Sequence, residues 1–134
     1  MYSRRELDVV AALVKKEGRA LLCQRKEDDA FGLLWEFPGG KIEIQESKEQ
    51  ALKRELKEEL DIDIEIGPFI AVFEDETPDL KIRDWLFEAI HFHGEITCLE
   101  CEAFGFFSLD QISRLKLAPV DIKIAEFIRS KKIL

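Results

Sequence analysis

Segment 47–60, SKEQALKRELKEEL, constrains the fold more than any other part of the chain. Ser47 followed three residues later by Gln50 fits a capping box, in which each side chain satisfies a backbone amide of the other residue. The interior uses almost only strong helix formers. Ala51, Leu52, Leu56 and Leu60 fall close to the i, i+4 and i+8 rows, a narrow apolar stripe suited to lie against a sheet. Most other apolar segments read as strands. Residues 7–14 and 20–23 are rich in Val, Leu and Ala around a turn at 16–18, and WEFPGG is an extended aromatic piece stopped by Pro38, Gly39 and Gly40. Residues 61–66 alternate with period two, and an apolar strand follows Gly67 and Pro68. A further strand leads to a turn at His93 and Gly94, and AFGFFSL is another. Ser108 with Gln111 caps a short helix through Leu115, and a last amphipathic helix places Ile122, Ala125 and Ile128 on one side. Helices do not alternate strictly with strands. The order predicts an α+β fold, a mixed sheet between helices, rather than a doubly wound parallel sheet.

The helix is unusual in its charges. At about 100° per residue, Glu58 lies about 60° to one side of Glu55 and Glu59 about 40° to the other. The three carboxylates therefore share one arc of about 100°, with Glu55 and Glu59 repelling at i, i+4. Glu58 and Glu59 also stand at the negative end of the helix dipole. A helix selected for stability alone would carry its acids early and its bases late. Such a surface is either a solvated charged face or a set of hard oxygen ligands of the kind Mg²⁺ or Mn²⁺ takes.

The wider composition narrows the field. With 134 residues, 46% hydrophobic and 36% charged, the chain predicts one globular domain over 1–134. No apolar run approaches the roughly 20 residues of a membrane span. No signal-peptide pattern follows Arg4 and Arg5, so a cytoplasmic setting is expected. A net charge of −8 argues against binding a nucleic-acid polymer through its phosphates. A small phosphorylated ligand remains open, because a divalent cation can bridge two acidic partners. Cys23, Cys98 and Cys101 are too few for a disulfide framework. The pair in CLEC, with His91 and His93 alternating on a strand, falls short of a zinc site and reads as ordinary thiols.

The spacing around the helix separates the two readings of its carboxylates. Gly40 is followed by five residues and Glu46, then seven residues and Arg54-Glu55-Leu56-x-Glu58-Glu59-x-Asp61-Ile62. This resembles the Nudix box, Gly-x5-Glu-x7-Arg-Glu-apolar-x-Glu-Glu-x-Gly-apolar, at eight of nine fixed positions. The exception is Asp61, where the box has Gly. WEFPGGKIE ahead of it is similar to the MutT branch of nucleoside triphosphate pyrophosphohydrolases, and the element order over the whole chain fits the Nudix fold. That resemblance implies an α/β/α sandwich with the box helix on one face and the C-terminal helix on the other.

The resemblance also implies roles. Glu55, Glu58 and Glu59, with the Gly40 carbonyl, would hold Mg²⁺ (or Mn²⁺). Glu46 and Arg54 would brace the box loop, and Gly39 and Gly40 would let the backbone approach a phosphate. Arg25, eleven residues before Glu36, stands at the spacing of a phosphate-binding Arg. The general base would be a box glutamate or an acid of the loop CLECEAFGFF, where Glu102 is preferred over Glu100. Trp35, Phe37, Trp85 and Phe87 are candidates to stack on a nucleobase across the sheet from the box helix. Asp121 would read the base edge, with a helix N-cap as its alternative use. The activity implied is Mg²⁺-dependent hydrolysis of ordinary or oxidised (d)NTPs to (d)NMP and pyrophosphate, by a monomer or homodimer. Rival readings are a hydrolase of dinucleotide polyphosphates or ADP-ribose, and a nucleotide-binding module without catalysis. Such modules commonly lose box carboxylates, whereas all are present here. Asp61 is expected to end the helix with a positive φ.

Overall fold

The computed structural model describes residues 4–134, apart from the side chain of Phe92. Its long strands are β1 (Arg5–Lys16), β5 (Asp63–Glu76) and β6 (Leu80–His93). β1 and β6 run parallel from Arg5↔Leu80 to Val14↔Ala89, and β5 pairs antiparallel with β6. The far end of β1 turns into β2 (Arg19–Gln24), which also pairs with β3 (Trp35–Glu36) and β7 (Ala103–Phe107). β4 (Gly39–Lys41) lies antiparallel on β1. The sheet is mixed, with β3-β2-β1-β6-β5 as its main path.

Two sequence expectations change here. Gly39 and Gly40 do not stop the extended segment; they form β4 themselves. A Cβ on Gly39 would overlap the Val10 carbonyl, so only glycine lets this strand lie against β1. Gly67 and Pro68 do not divide β5 either. The register shifts between Ile66 and Phe69, which bulges Pro68 out of a ladder to which it can donate nothing.

Helix α1 (Lys48–Leu60) covers one face. Both hydrogen bonds of its capping box form, and Ala51, Leu52, Leu56 and Leu60 are buried. They pack with Val10, Ala12, Leu21, Cys23, Ile62, Ile64 and Phe87. Asp61 ends the helix in the left-handed region (φ 58, ψ 36), its amide donating to the Lys57 carbonyl at 3.0 Å. The short α2 (Leu109–Ile112), with its own capping box at Ser108, and α3 (Pro119–Lys131) cover the other face. There Ala11, Leu13, Leu22, Phe37, Leu86, Ile124 and Ile128 form a second core. The buried row of α3 is Val120, Asp121, Ile124 and Ile128, so Ile122 is exposed rather than core. This is the α/β/α arrangement expected, with α1 and α3 on opposite faces. No helix among the described residues is long and apolar enough to cross a membrane.

Candidate active site

On the α1 face, one guanidinium gathers the box. Arg54 Nε and Nη2 donate to both oxygens of Glu46 at 2.7 and 2.9 Å, a bidentate pair. Nη2 also donates to the Lys41 carbonyl at 2.9 Å. Nη1 donates to Glu55 at 2.8 Å and Glu58 at 3.2 Å. Arg54 therefore ties β4 and the loop after it to the carboxylates one turn along the helix. Glu46 further accepts from the Glu43 amide at 3.0 Å. Arg54, then that amide, hold the Glu46 carboxyl down at about 2. Gly40 lies directly under Glu55, and a Cβ there would run into the Glu55 carboxylate.

Glu59 points inward and is 7% exposed. Burial, then the neighbouring charges of Glu36, Cys101, Glu55 and Glu100, push its carboxyl well above the ordinary range. Burial raises Glu55 as well, offset by Arg54 and reinforced by Glu58 and Glu100. The Glu59 carbonyl accepts from the amides of Leu99 and Glu100 at 2.9 and 3.3 Å, which fastens the loop after β6 to the end of α1. The charge of Glu100 is felt by both Glu55 and Glu59. Both loop acids are exposed, and the Glu102 amide donates to the Gln24 carbonyl at 2.9 Å. Sequence spacing favours Glu102, and the loop's anchorage on Glu59 adds Glu100 as a second candidate. The same loop brings Cys98 and Cys101 near Cys23, and all three thiols are free.

A second polar group lies at β2 and β3, where Glu36 is paired with Cys23 of the α1 core. Arg25 donates to the Ala30 carbonyl at 2.7 Å and to Glu36 at 2.9 Å. Burial raises the Glu36 carboxyl, and the Arg25 charge opposes that rise. Next along the chain, the Phe37 amide donates to Asp121 Oδ1 at 2.9 Å. Asp121 is 3% exposed and sits in the first turn of α3, behind Ala118 and Pro119. It is not the N-cap. Ala118 takes that position without a side-chain bond, and Asp121 faces the sheet. Trp35 and Phe37 pack on the α3 face.

Trp85 and Phe87 do not. Both pack with the α1 core, and Lys48 Nζ lies 4.2 Å from the Trp85 ring centroid. The alternation of β6 puts Asp84 and Leu86, not Trp85 and Phe87, toward α3. Trp85 therefore leaves the set of base-stacking candidates, as does Phe87. Asp84 was missed by sequence reasoning, although an acid in the apolar row Ile82, Asp84, Leu86 was a signal available there.

As the side chains stand, no three carboxylate, thiol or imidazole groups among the described residues converge closely enough to share one ion. Arg54 holds Glu55 and Glu58 to itself instead. The donor set nonetheless fits a hard divalent cation: carboxylate oxygens dominate, and Gly40 leaves the backbone open beside them. Glu59 supplies the direct observation. It is a buried acid whose neighbours are acids, and a bound cation would relieve it.

An acidic helix seated on a glycine strand, inside this α/β/α frame, defines a Nudix-type phosphohydrolase. Sequence comparison agrees: residues 4–129 match the NUDIX domain, and the chain belongs to the Nudix hydrolase family. It is 38% identical over 120 residues to the CTP pyrophosphohydrolase of Escherichia coli K12, covering 90% of this chain and 89% of that one. It is 34% identical to the 8-oxo-dGTP diphosphatase of Proteus vulgaris over 72% of this chain and 88% of that one. In structure it is similar to the Escherichia coli ORF135 protein, with a TM-score of 0.84, 35% identity, and 96% and 92% of the two chains covered. The MutT NUDIX hydrolase of Burkholderia pseudomallei gives a TM-score of 0.83 at 27% identity, over 92% and 98%.

Proposed function

We propose that this protein is a Mg²⁺-dependent nucleoside triphosphate pyrophosphohydrolase, releasing a (d)NMP and pyrophosphate from ordinary or oxidised (d)NTPs. The observation that carries the proposal is the course of one short segment, 36–40. Glu36 is paired with Arg25, the Phe37 amide is bonded to Asp121, and Gly40 lies under Glu55. Three extended residues span roughly 10 Å, so Phe37 and Gly40 stand at the two ends of a nucleotide-sized stretch. The named relatives, a CTP pyrophosphohydrolase and an 8-oxo-dGTP diphosphatase, support the same substrate class.

In this reading Glu55, Glu58, Glu59 and the Gly40 carbonyl hold the metal, with Mn²⁺ able to replace Mg²⁺. Bound there, it would neutralise phosphate charge on a protein that carries −8 itself and lower the pKa of a coordinated water. Glu46 and Arg54 fix the positions of these ligands. Glu100 and Glu102 are the candidate general bases, on the loop that is bonded to Glu59. Arg25, already oriented by Glu36, would contact phosphate. Phe37 and Asp121 would meet the base. The three free thiols suit a reducing compartment, and the cytoplasm is the setting proposed.

The test is to incubate the purified protein with Mg²⁺ and a nucleotide panel and to identify the products. The expected result is pyrophosphate and a nucleoside monophosphate, lost in Glu58→Gln. No turnover of any nucleotide, with thermal stability unchanged by Mg²⁺, would overturn the reading.

A further inference from the structure

Ile44 is 95% exposed, more than any other large apolar side chain among the described residues. It is also held there. Ile44 lies in the turn 43–46 after β4, where the Glu46 amide donates to the Glu43 carbonyl at 3.1 Å and the Glu43 amide donates to Glu46 Oε1 at 3.0 Å. Arg54 fixes Glu46 in turn, and Gln45 adopts a left-handed φ of 66 that most side chains avoid. A side chain presented on so constrained a turn needs little further ordering to make a contact.

Beside the turn is an open pocket of about 560 Å³, between the start of β1, Trp85 of β6 and the start of α1. Leu7, Ile42 and Trp85 give it an apolar lining, and Ile44 stands at its rim. The apolar surface continues beyond it. Phe69, its ring centroid 5.9 Å from that of Trp85, and Val72, paired with Trp85 across β5 and β6, are both exposed. A contiguous apolar surface of this kind marks an interaction site.

The charges around the pocket decide what fits it. Asp8 and Glu6 are matched by Arg83 at 3.0 and 3.8 Å, and Glu46 and Glu43 by Arg54 at 2.7 and 3.7 Å. Of the lining charges, Glu49 and Lys48 have no ion-pair partner among the described residues, and Lys48 Nζ rests 4.2 Å from the Trp85 ring centroid. One acid and one base are therefore left over, side by side. A strongly basic or strongly acidic partner would satisfy one of them and repel the other. A second copy related by a two-fold axis satisfies both, since each Lys48 meets the partner's Glu49. The same rotation carries each Ile44 to the other copy's pocket, so the contact closes at two copies.

We propose that the turn 43–46 and the pocket beside it form a self-complementary docking surface for a second copy of this chain. Ile44 of each copy enters the other's pocket over Leu7, Ile42 and Trp85, flanked by the two Lys48–Glu49 pairs. The surface is distinct from the groups assigned to metal and nucleotide, and the inference does not depend on the reaction. Each copy carries −8, so mutual repulsion keeps the association weak, with a Kd on the order of 10–100 µM.

The experiment is sedimentation of the native protein and three variants from about 5 to 500 µM, a range that brackets that Kd. The native protein is expected to pass from monomer to dimer and to stop there. Ile44→Asp, which carries a charge to an apolar pocket, is expected to weaken association at least about 10-fold. Lys48→Glu reverses both flanking pairs and is expected to weaken it about 10-fold; adding Glu49→Lys is expected to recover most of that loss. Thermal unfolding checks that each variant is folded, and Ile44→Asp alters a side chain that supports nothing in the monomer. A native protein monomeric throughout overturns the inference. So does dimerisation that survives Ile44→Asp, or a folded double variant that recovers nothing. If the Lys48 variants fail to fold, the Ile44 comparison decides.

Discussion

The two polar regions of this molecule handle buried acid in opposite ways. On the α1 face, four carboxylates lie around Arg54, which makes hydrogen bonds to Glu46, Glu55 and Glu58. On the α3 face, Asp84 and Asp121 have one backbone amide between them. The first region is arranged so that a cation can be added. In the second, burial raises both carboxyls and no counter-charge is bonded to either among the described residues. The comparison teaches that excess carboxylate is not one signal: its meaning depends on which positive groups have been placed beside it.

The largest expected effect comes from the box. Glu59→Gln removes a buried ligand charge at almost constant shape, and turnover is expected to fall by about 10³ or more. Native-like activity in that variant would show that the box is only a charged helix face. Gly40→Ala comes next. Its Cβ would meet the Glu55 carboxylate and displace it, with an expected loss of about 10² in kcat. Arg54→Lys keeps the charge but cannot make the bidentate pair with Glu46 while also reaching Lys41 and Glu55. Activity is expected to fall about 10-fold and stability by about 1 kcal/mol, read by thermal unfolding.

The α3 side can be tested through pH. The ordinary Asp value is 3.8, and burial raises Asp84 to about 7 in the folded chain. The folded state thus holds this proton more tightly than the unfolded chain does. Its stabilising effect is full below 3.8, declines as pH rises toward about 7, and changes no further above that. Asp84→Asn removes the ionisation, so its gain in melting temperature is expected to be larger at pH 8 than at pH 4. An equal gain at both would mean that Asp84 is not held protonated. Glu46 has the reverse sign: depressed to about 2 from 4.5, its contribution is present above 4.5 and lost as pH falls through 2. The smallest effect is at Asp61. Replacing its left-handed conformation with Gly is expected to stabilise by about 1 kcal/mol and leave kcat unchanged.

The α1 side was legible because its information is local. Capping box, helix formers, apolar stripe and box spacing all lie within 23 consecutive residues, and Asp61 adopts the conformation its position required. The α3 side was not, because its information is in strand register. DWLF shows that Asp84 and Trp85 face opposite ways, but only pairing with β1 and β5 decides which one faces α3. Glu100 and Glu102 lie two apart in a loop, and no periodicity ranks them; the bonds from the Leu99 and Glu100 amides to the Glu59 carbonyl, which fasten the loop to the box helix, are invisible in the sequence. Ile122 reads as core from its spacing, yet burial of Asp121 rotates the buried row of α3 by one residue.

On the proposed function, the acids late in α1 are tolerated because they receive a divalent cation. Mn²⁺ binding without nucleotide, followed by its electron paramagnetic resonance signal, tests this most directly. Saturable loss of the free-ion signal is expected with native protein, and much weaker binding by Glu59→Gln of equal helicity. Indistinguishable titrations for the two proteins would contradict it.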